Sequence, residues 1–243
     1  MRYVFITGTS RGLGKALLNE FKGDRIISLS RSEVDSDVQL FKTFHLDLKN
    51  ESELEQESSK IFSSVTPDEG DEVFLINNAG TVEPVQSVEN IDAAGYLDSY
   101  KVNVLAPALL IKAFIDEYKN QNITKRILTV SSGAAVKATE GWAAYCSSKA
   151  AVNMISDVVR LESSRHGTHI ESATFRPGVI DTDMQTAIRS SDPEQFPSIE
   201  KFKEYKASEQ LIPPEKVAQT LKTVITAENF KDQGHYDISE YIQ

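Results

Sequence analysis

The chain has 243 residues, 40% of them hydrophobic and 26% charged, with a formal net charge of −10. That length suits one large α/β domain or two small ones, and the acidic balance argues against nucleic acid and anionic membrane as partners, since both are negative themselves. A single cysteine, Cys146, excludes an intrachain disulfide, and neither a secretory signal nor an apolar run near the roughly 20 residues of a membrane span is evident, so the expectation is a cytoplasmic protein.

Short β-branched runs alternate with longer amphipathic segments. Strands are predicted over Tyr3–Thr7, Arg25–Ser30, Thr43–Leu46, Glu72–Ile76, Arg126–Val130 and His169–Phe175, with a short seventh over Gly234–Ile238. Helices are predicted over Leu13–Phe21, Ser52–Val65, Ala143–Ser164 and Pro214–Ala227. Ala93–Tyr118 reads as one long helix that Pro107 kinks or interrupts. Steady strand–helix alternation implies parallel pairing with right-handed crossovers, hence a doubly wound sheet in the order 3-2-1-4-5-6-7 with helices on both faces. No linker or repeat divides the chain, so residues 1–243 are expected to form a single domain. The polar stretch Ser190–Ser208, carrying Pro193 and Pro197, is the most loop-like and is where a substrate lid is expected.

Gly8, Gly12 and Gly14 lie in TGTSRGLG, after the first strand and at the start of the first helix. Glycines there permit a tight turn and close approach of a phosphate, and the helix start offers free N–H groups. The competing interpretation is a glycine-rich turn without a ligand. Tyr145 and Lys149 stand four residues apart at the start of a predicted helix and so share one face, with Ser132 thirteen residues before the tyrosine at a strand's C-terminal end. The competing interpretation is an ordinary exposed helix pair. A phenol ionises near pH 10, and an adjacent ammonium is expected to lower that value, leaving Tyr145 able to act as acid or base.

The spacing G-x3-G-x-G resembles the TGxxxGxG pattern of the short-chain dehydrogenase/reductase family. Asn77–Gly80 (NNAG), the stretch SSGAAVKATEGWAAYCSSK and the turn from Pro177 and Gly178 to Thr182 match that family in order, along essentially the whole chain. The resemblance implies a Rossmann-type NADP-binding fold and a catalytic set of Asn103, Ser132, Tyr145 and Lys149. Ser132 would hold the substrate oxygen, Lys149 the nicotinamide ribose, and Asn103 would help protons arrive through water. Cofactor contacts are expected from Gly8, Ser10, Arg11, Gly12, Leu13, Gly14, Asp47, Leu48, Asn78, Ala79, Gly80, Tyr145, Lys149, Pro177, Gly178, Val179 and Thr182. Ser30 stands where NAD-preferring relatives carry an aspartate, and Arg31 and Arg11 are placed to clamp a 2′-phosphate, so NADPH/NADP+ is the expected cofactor. Arg31 as a solvated loop residue is the alternative.

A narrower resemblance links GWAAYCSSKAAVNM and RPGVIDTDMQ to sepiapterin reductases and bacterial benzil reductases. It implies an NADPH-dependent carbonyl reductase acting on an aromatic 1,2-diketone, with Ser132, Trp142, Tyr145, Met184 and Asp237 toward the substrate. The alternatives are a pterin reductase using Asp237, an alcohol or hydroxysteroid dehydrogenase, and a non-catalytic NADP(H)-sensing module. Trp142 as a core or interface residue remains open beside the pocket role. The expected partner is a small carbonyl compound, without nucleic acid, membrane or metal; His45, His166, His169 and His235 show no metal-ligand spacing. Cys146 is expected to be buried and inert, and Asp68–Asp71 a solvated loop. Family habit implies a homodimer or homotetramer.

Overall fold

A computed structural model describes residues 1–242; Gln243, the last residue of the expected domain, lies outside the described residues. Seven strands form one parallel sheet: β1 (Arg2–Thr7), β2 (Arg25–Ser30), β3 (Lys42–His45), β4 (Glu72–Asn77), β5 (Thr124–Val130), β6 (Ile170–Arg176) and β7 (His235–Asp237). The order is 3-2-1-4-5-6-7, as the alternation of elements requires. Strand bounds shift by one or two residues from those expected, as strand ends ordinarily do.

Side chains of successive strand residues point to opposite faces, and the sheet uses both. Val4, Ile6, Phe74, Ile76, Leu128 and Phe175 face α1 (Gly12–Glu20) and α8 (Pro214–Thr226) in one fully buried layer. Phe5, Val73, Leu75 and Ile127 face α2 (Glu51–Ser63), α4 (Ala106–Tyr118) and α5 (Ala143–His166) in the other.

The expected helix Ala93–Tyr118 is three pieces. α3 (Ala93–Tyr100) and α4 are joined by a π-helical turn, Lys101–Leu105, in which the Ala106 N–H reaches back to the Lys101 carbonyl. Pro107 therefore falls in the first turn of α4, and the irregularity sits just upstream of it, where a π turn fits a residue without an N–H. Ser190–Ser208 is not a bare loop either. It carries α7 (Ile199–Ala207), and α6 (Asp183–Arg189) precedes it. Phe196, fully buried, anchors the stretch. Of the acidic run, Asp71 is buried and ion-paired to the chain's N-terminal ammonium, which corrects the solvated-loop expectation at that residue.

Candidate active site

The C-terminal edge of the sheet gathers almost every residue of the expected site. After β1 the chain turns at Gly8 with a φ of 72°, and a Cβ on Gly14 would lie 1.9 Å from the Gly8 carbonyl oxygen. Only glycine allows that approach, so the turn stays open against the start of α1. The NNAG segment is tied to it. Thr7 Oγ1 accepts from the Asn78 and Ala79 N–H groups at 3.0 Å each, and Asn78 Nδ2 donates to the Thr7 carbonyl at 2.9 Å. Thr7 is absent from the expected contacts, although it opens the TGxxxGxG pattern.

A Cβ on Gly12 would come 3.2 Å from Thr182, so the Pro177–Thr182 turn lies over the glycine turn. Gly178 takes a φ of 70° and packs against Ile212 and Ile238, while the Val179 carbonyl accepts from Ile212 N–H at 2.9 Å. Together these segments leave a backbone-lined cradle that side chains would fill, next to the free N–H groups of α1. That is the form a dinucleotide's phosphates require. Of the remaining expected contacts, Ser10 and Leu48 are half-buried and Leu13 is buried in the core beneath the turn.

The outer residues expected toward the cofactor are differently engaged. Ser30 is buried and donates to the Ser32 carbonyl at 2.9 Å, so its hydroxyl holds its own loop. Arg31 is exposed. Arg11 pairs with Asp183 of α6 at 3.2 Å, both side chains largely in solvent. Asp47 accepts from the Lys49 N–H at 3.0 Å.

The second half of the site hangs from β5 and α5. Tyr145 and Lys149 are both buried on one face of α5, and Lys149 Nζ donates to the Val130 carbonyl at 2.9 Å and sits 5.9 Å from the Tyr145 ring centre. Ser132 follows β5; its Oγ accepts from the Ala134 N–H at 3.1 Å and its hydroxyl bonds the Tyr145 phenol. A Cβ on Gly80 would lie 3.2 Å from Asn103 Oδ1 and 3.3 Å from Lys149 Nζ, which joins the cradle to this group.

Asn103 is buried in the π turn and held on every side. Its Oδ1 accepts from Thr81 N–H at 2.9 Å, and its Nδ2 donates to the Thr81 carbonyl at 2.8 Å and to Ser148 Oγ at 3.0 Å. Thr81 and Ser148, which no motif marks, complete its shell.

Electrostatics differ from the expectation. Burial pushes the Tyr145 phenol up, and the Ser132 hydrogen bond offsets this only in part. Burial also pushes Lys149 down to about 8. Desolvation disfavours the charged form of each, and here it outweighs the attraction of ammonium for phenolate. The phenol is held protonated at neutral pH.

An aromatic group forms one wall. Trp142 stacks on Phe196 at 5.1 Å between ring centres and meets Phe202 of α7 at 5.2 Å and Tyr145 at 5.4 Å. Trp142 thus belongs to a small core and packs against Tyr145 at once. Met184 stands exposed on α6. Cys146 is half-buried rather than buried, with Sγ 3.8 Å from the Lys137 carbonyl. Asp237 pairs with Arg176 at 3.1 Å and accepts from the Ser239 N–H and hydroxyl at 2.9 and 2.7 Å.

The family model for short chain dehydrogenases matches residues 2–193. The chain belongs to this short-chain dehydrogenase/reductase family. A benzil reductase ((S)-benzoin forming) of Bacillus cereus is 35% identical over 239 residues, covering 95% of this chain and 96% of its own. A sepiapterin reductase of Rattus norvegicus is 26% identical over 253 residues, covering 96% and 94%. The crystal structure of YIR035C, a short-chain dehydrogenase/reductase of Saccharomyces cerevisiae, superposes with a TM-score of 0.82 at 24% identity over 98% of this chain and 96% of that one, a likeness of fold. Membership makes this short-chain dehydrogenase/reductase an oxidoreductase of CH–OH/C=O groups on small molecules, using a nicotinamide cofactor that the cradle fits. Among its described residues no helix is long and apolar enough to cross a membrane.

Proposed function

We propose that this chain is an NADPH-dependent carbonyl reductase that converts one carbonyl of an aromatic 1,2-diketone into a hydroxyketone, in the manner of benzil to benzoin. The observation that carries it is the Tyr145 phenol, held protonated between Ser132 and Lys149 beneath the aromatic wall of Trp142 and Phe196. In reduction the phenol is the acid, and in oxidation its conjugate base would be the base.

When bound in the cradle, a nicotinamide would supply the hydride for the carbonyl carbon. Ser132 orients the ketone oxygen, and Tyr145 gives that oxygen its proton. Lys149, fixed by the Val130 carbonyl, supports the phenolate as it develops and holds the ribose. Asn103, locked by Thr81 and Ser148, positions the Tyr145–Lys149 turn from behind; side-chain bonds this complete leave its backbone and any bound water, not a swinging amide, to pass protons. The glycine cradle, with Asn78, Ala79, Gly80, Pro177, Gly178, Val179 and Thr182, holds the dinucleotide. Arg31, exposed and without an acidic neighbour at position 30, supports preference for a 2′-phosphate, with Arg11 joining by leaving Asp183.

The B. cereus relative's activity supports the diketone substrate. A pterin finds less support. Asp237, its expected anchor, is neutralised by Arg176 and spent on Ser239. Residues 1–243 are proposed to act as one unit, in the cytoplasm, as a homodimer or homotetramer.

Turnover of benzil with NADPH and with NADH, beside sepiapterin, tests this reading. NADPH should be clearly preferred and Arg31→Ala should weaken that preference, with one hand of benzoin dominating. Tyr145→Phe should lower turnover roughly a hundredfold or more while NADPH still binds. Reduction of sepiapterin but no diketone, or a phenylalanine variant of near-normal activity, would overturn it.

A further inference from the structure

On the proposed reaction, the substrate brings two oxygens to the site. Ser132 and Tyr145 take one. The second sits on the neighbouring carbon, and burial against Trp142, Phe196, Val82 and Ile188 would leave it without a partner, at a cost comparable to a lost hydrogen bond.

Arg176 is placed to answer this. It is the last residue of β6, at the same sheet edge, and the Ser131 N–H donates to the Phe175 carbonyl at 2.8 Å, so the chain at Arg176 runs beside Ser131, one residue from Ser132. Its side chain lies on the face that meets α5. On that face Ser172 bonds Ser156 at 2.9 Å, and Thr174 bonds His235, which reaches Asp157 of α5 at 3.1 Å; Arg176 continues the row toward the end of the sheet where Tyr145 stands. Ser131 bonds Asn153, one helical turn along from Lys149 on α5.

The guanidinium is incompletely used. Nε is buried and lies 3.1 Å from Asp237, as an ion pair out of line for a hydrogen bond. Among the described residues no protein acceptor bonds the terminal nitrogens, and the side chain is 28% exposed. A planar cation with spare donors, pinned by a carboxylate behind it, is suited to hold a carbonyl oxygen.

We infer that Arg176 is a substrate-binding residue that donates to the non-reacting carbonyl oxygen of a vicinal dicarbonyl, with Asp237 as the positioning residue that aims it. The site is thereby selective for diketones over monoketones of the same shape. This rests on the diketone reading, so the wild-type protein is measured first. Failure to reduce benzil there would defeat that reading, whereas the variants at positions 176 and 237 judge Arg176 alone.

The test compares benzil with deoxybenzoin, which keeps both phenyl rings and one carbonyl. Arg176→Met should lower kcat/KM for benzil relative to deoxybenzoin by about tenfold to a hundredfold, the range of one charge-assisted hydrogen bond. Quenching of Trp142, the chain's only tryptophan, should report benzil binding weakened by a similar factor, while NADPH affinity is unchanged. Arg176→Lys should recover part of the ratio. Should the methionine variant misfold, Arg176→Gln keeps an amide for Asp237, drops the charge, and should show the same loss. Asp237→Asn should lower the ratio by a smaller factor than either, because Arg176 remains but is less firmly aimed. A benzil-to-deoxybenzoin ratio that Arg176→Met or Arg176→Gln leaves unchanged, or that Asp237→Asn lowers as much as either, would overturn the inference.

Discussion

At the scale of single residues, the site works through burial. Tyr145 and Lys149 are legible as a pair from their spacing, but spacing says nothing of solvent. A pair at the surface would have shown the ammonium lowering the phenol. Enclosed by Trp142, Ala144 and the sheet edge, both groups are instead pushed toward their neutral forms. The lowered lysine sets a pH dependence. Lys149 is charged below about 8 and loses its proton as pH rises through that value. On the proposed reaction the ammonium stabilises the phenolate left when the proton reaches the substrate, so kcat/KM for reduction should be flat at lower pH and fall across this limb. Rate profiles from neutral to alkaline pH check it, with Lys149→Met as the variant that should lose the limb along with most of the rate. A wild-type rate that rises through the limb would contradict the assignment.

At the scale of elements, two segments depart from their sequence appearance for the same reason: tertiary contacts decided what local signals left ambiguous. Pro107 reads as a kink, yet the π turn before it lets the proline start α4 and presents Asn103 inward to Thr81 and Ser148. In Ser190–Ser208, Pro193 and Pro197 hide a helical repeat, since Phe196, Ile199 and Phe202 recur at threefold spacing and meet Trp142. Phe196 is fully enclosed. Phe196→Ala should therefore destabilise the protein by about 3–5 kcal/mol, the usual cost of emptying a buried phenylalanine site. Urea unfolding measures it, and turnover should fall as well, because Trp142 loses its stacking partner. A change below about 1 kcal/mol would mean that the segment moves freely and that its packing is incidental.

At the scale of the whole molecule, α5 turns one face to the sheet and another outward. Met154, Val158 and Leu161, 64%, 42% and 72% exposed, form an apolar stripe at helical spacing, flanked by Ala108, Ile111 and Ile115 of α4. An exposed apolar stripe of this kind is what a second copy of the chain would cover. Met154→Glu combined with Leu161→Glu should lower the mass of the proposed oligomer in sedimentation at matched concentration. A wild-type protein that sediments as a monomer would remove the basis for that proposal.

The sheet order, the glycine turn, NNAG and the Ser132–Tyr145–Lys149 set are all legible in the sequence, because each depends on contacts a few residues long or on strict alternation of elements. Hydrophobic periodicity places β5 and α5, and their ends carry the site. Thr7 opens the TGxxxGxG pattern and Arg176 the RPGVIDTDMQ stretch, yet neither motif tells what its side chain meets. Asp237 stands out by its place near the chain end, but the cation across from it does not, for the two are 61 positions apart in sequence and adjacent only through the β6–β7 register. Long-range pairing and the exclusion of water depend on the packed whole, and those two decided the direction in which Tyr145 and Lys149 are shifted, the aromatic wall and the pairing of Arg176 with Asp237.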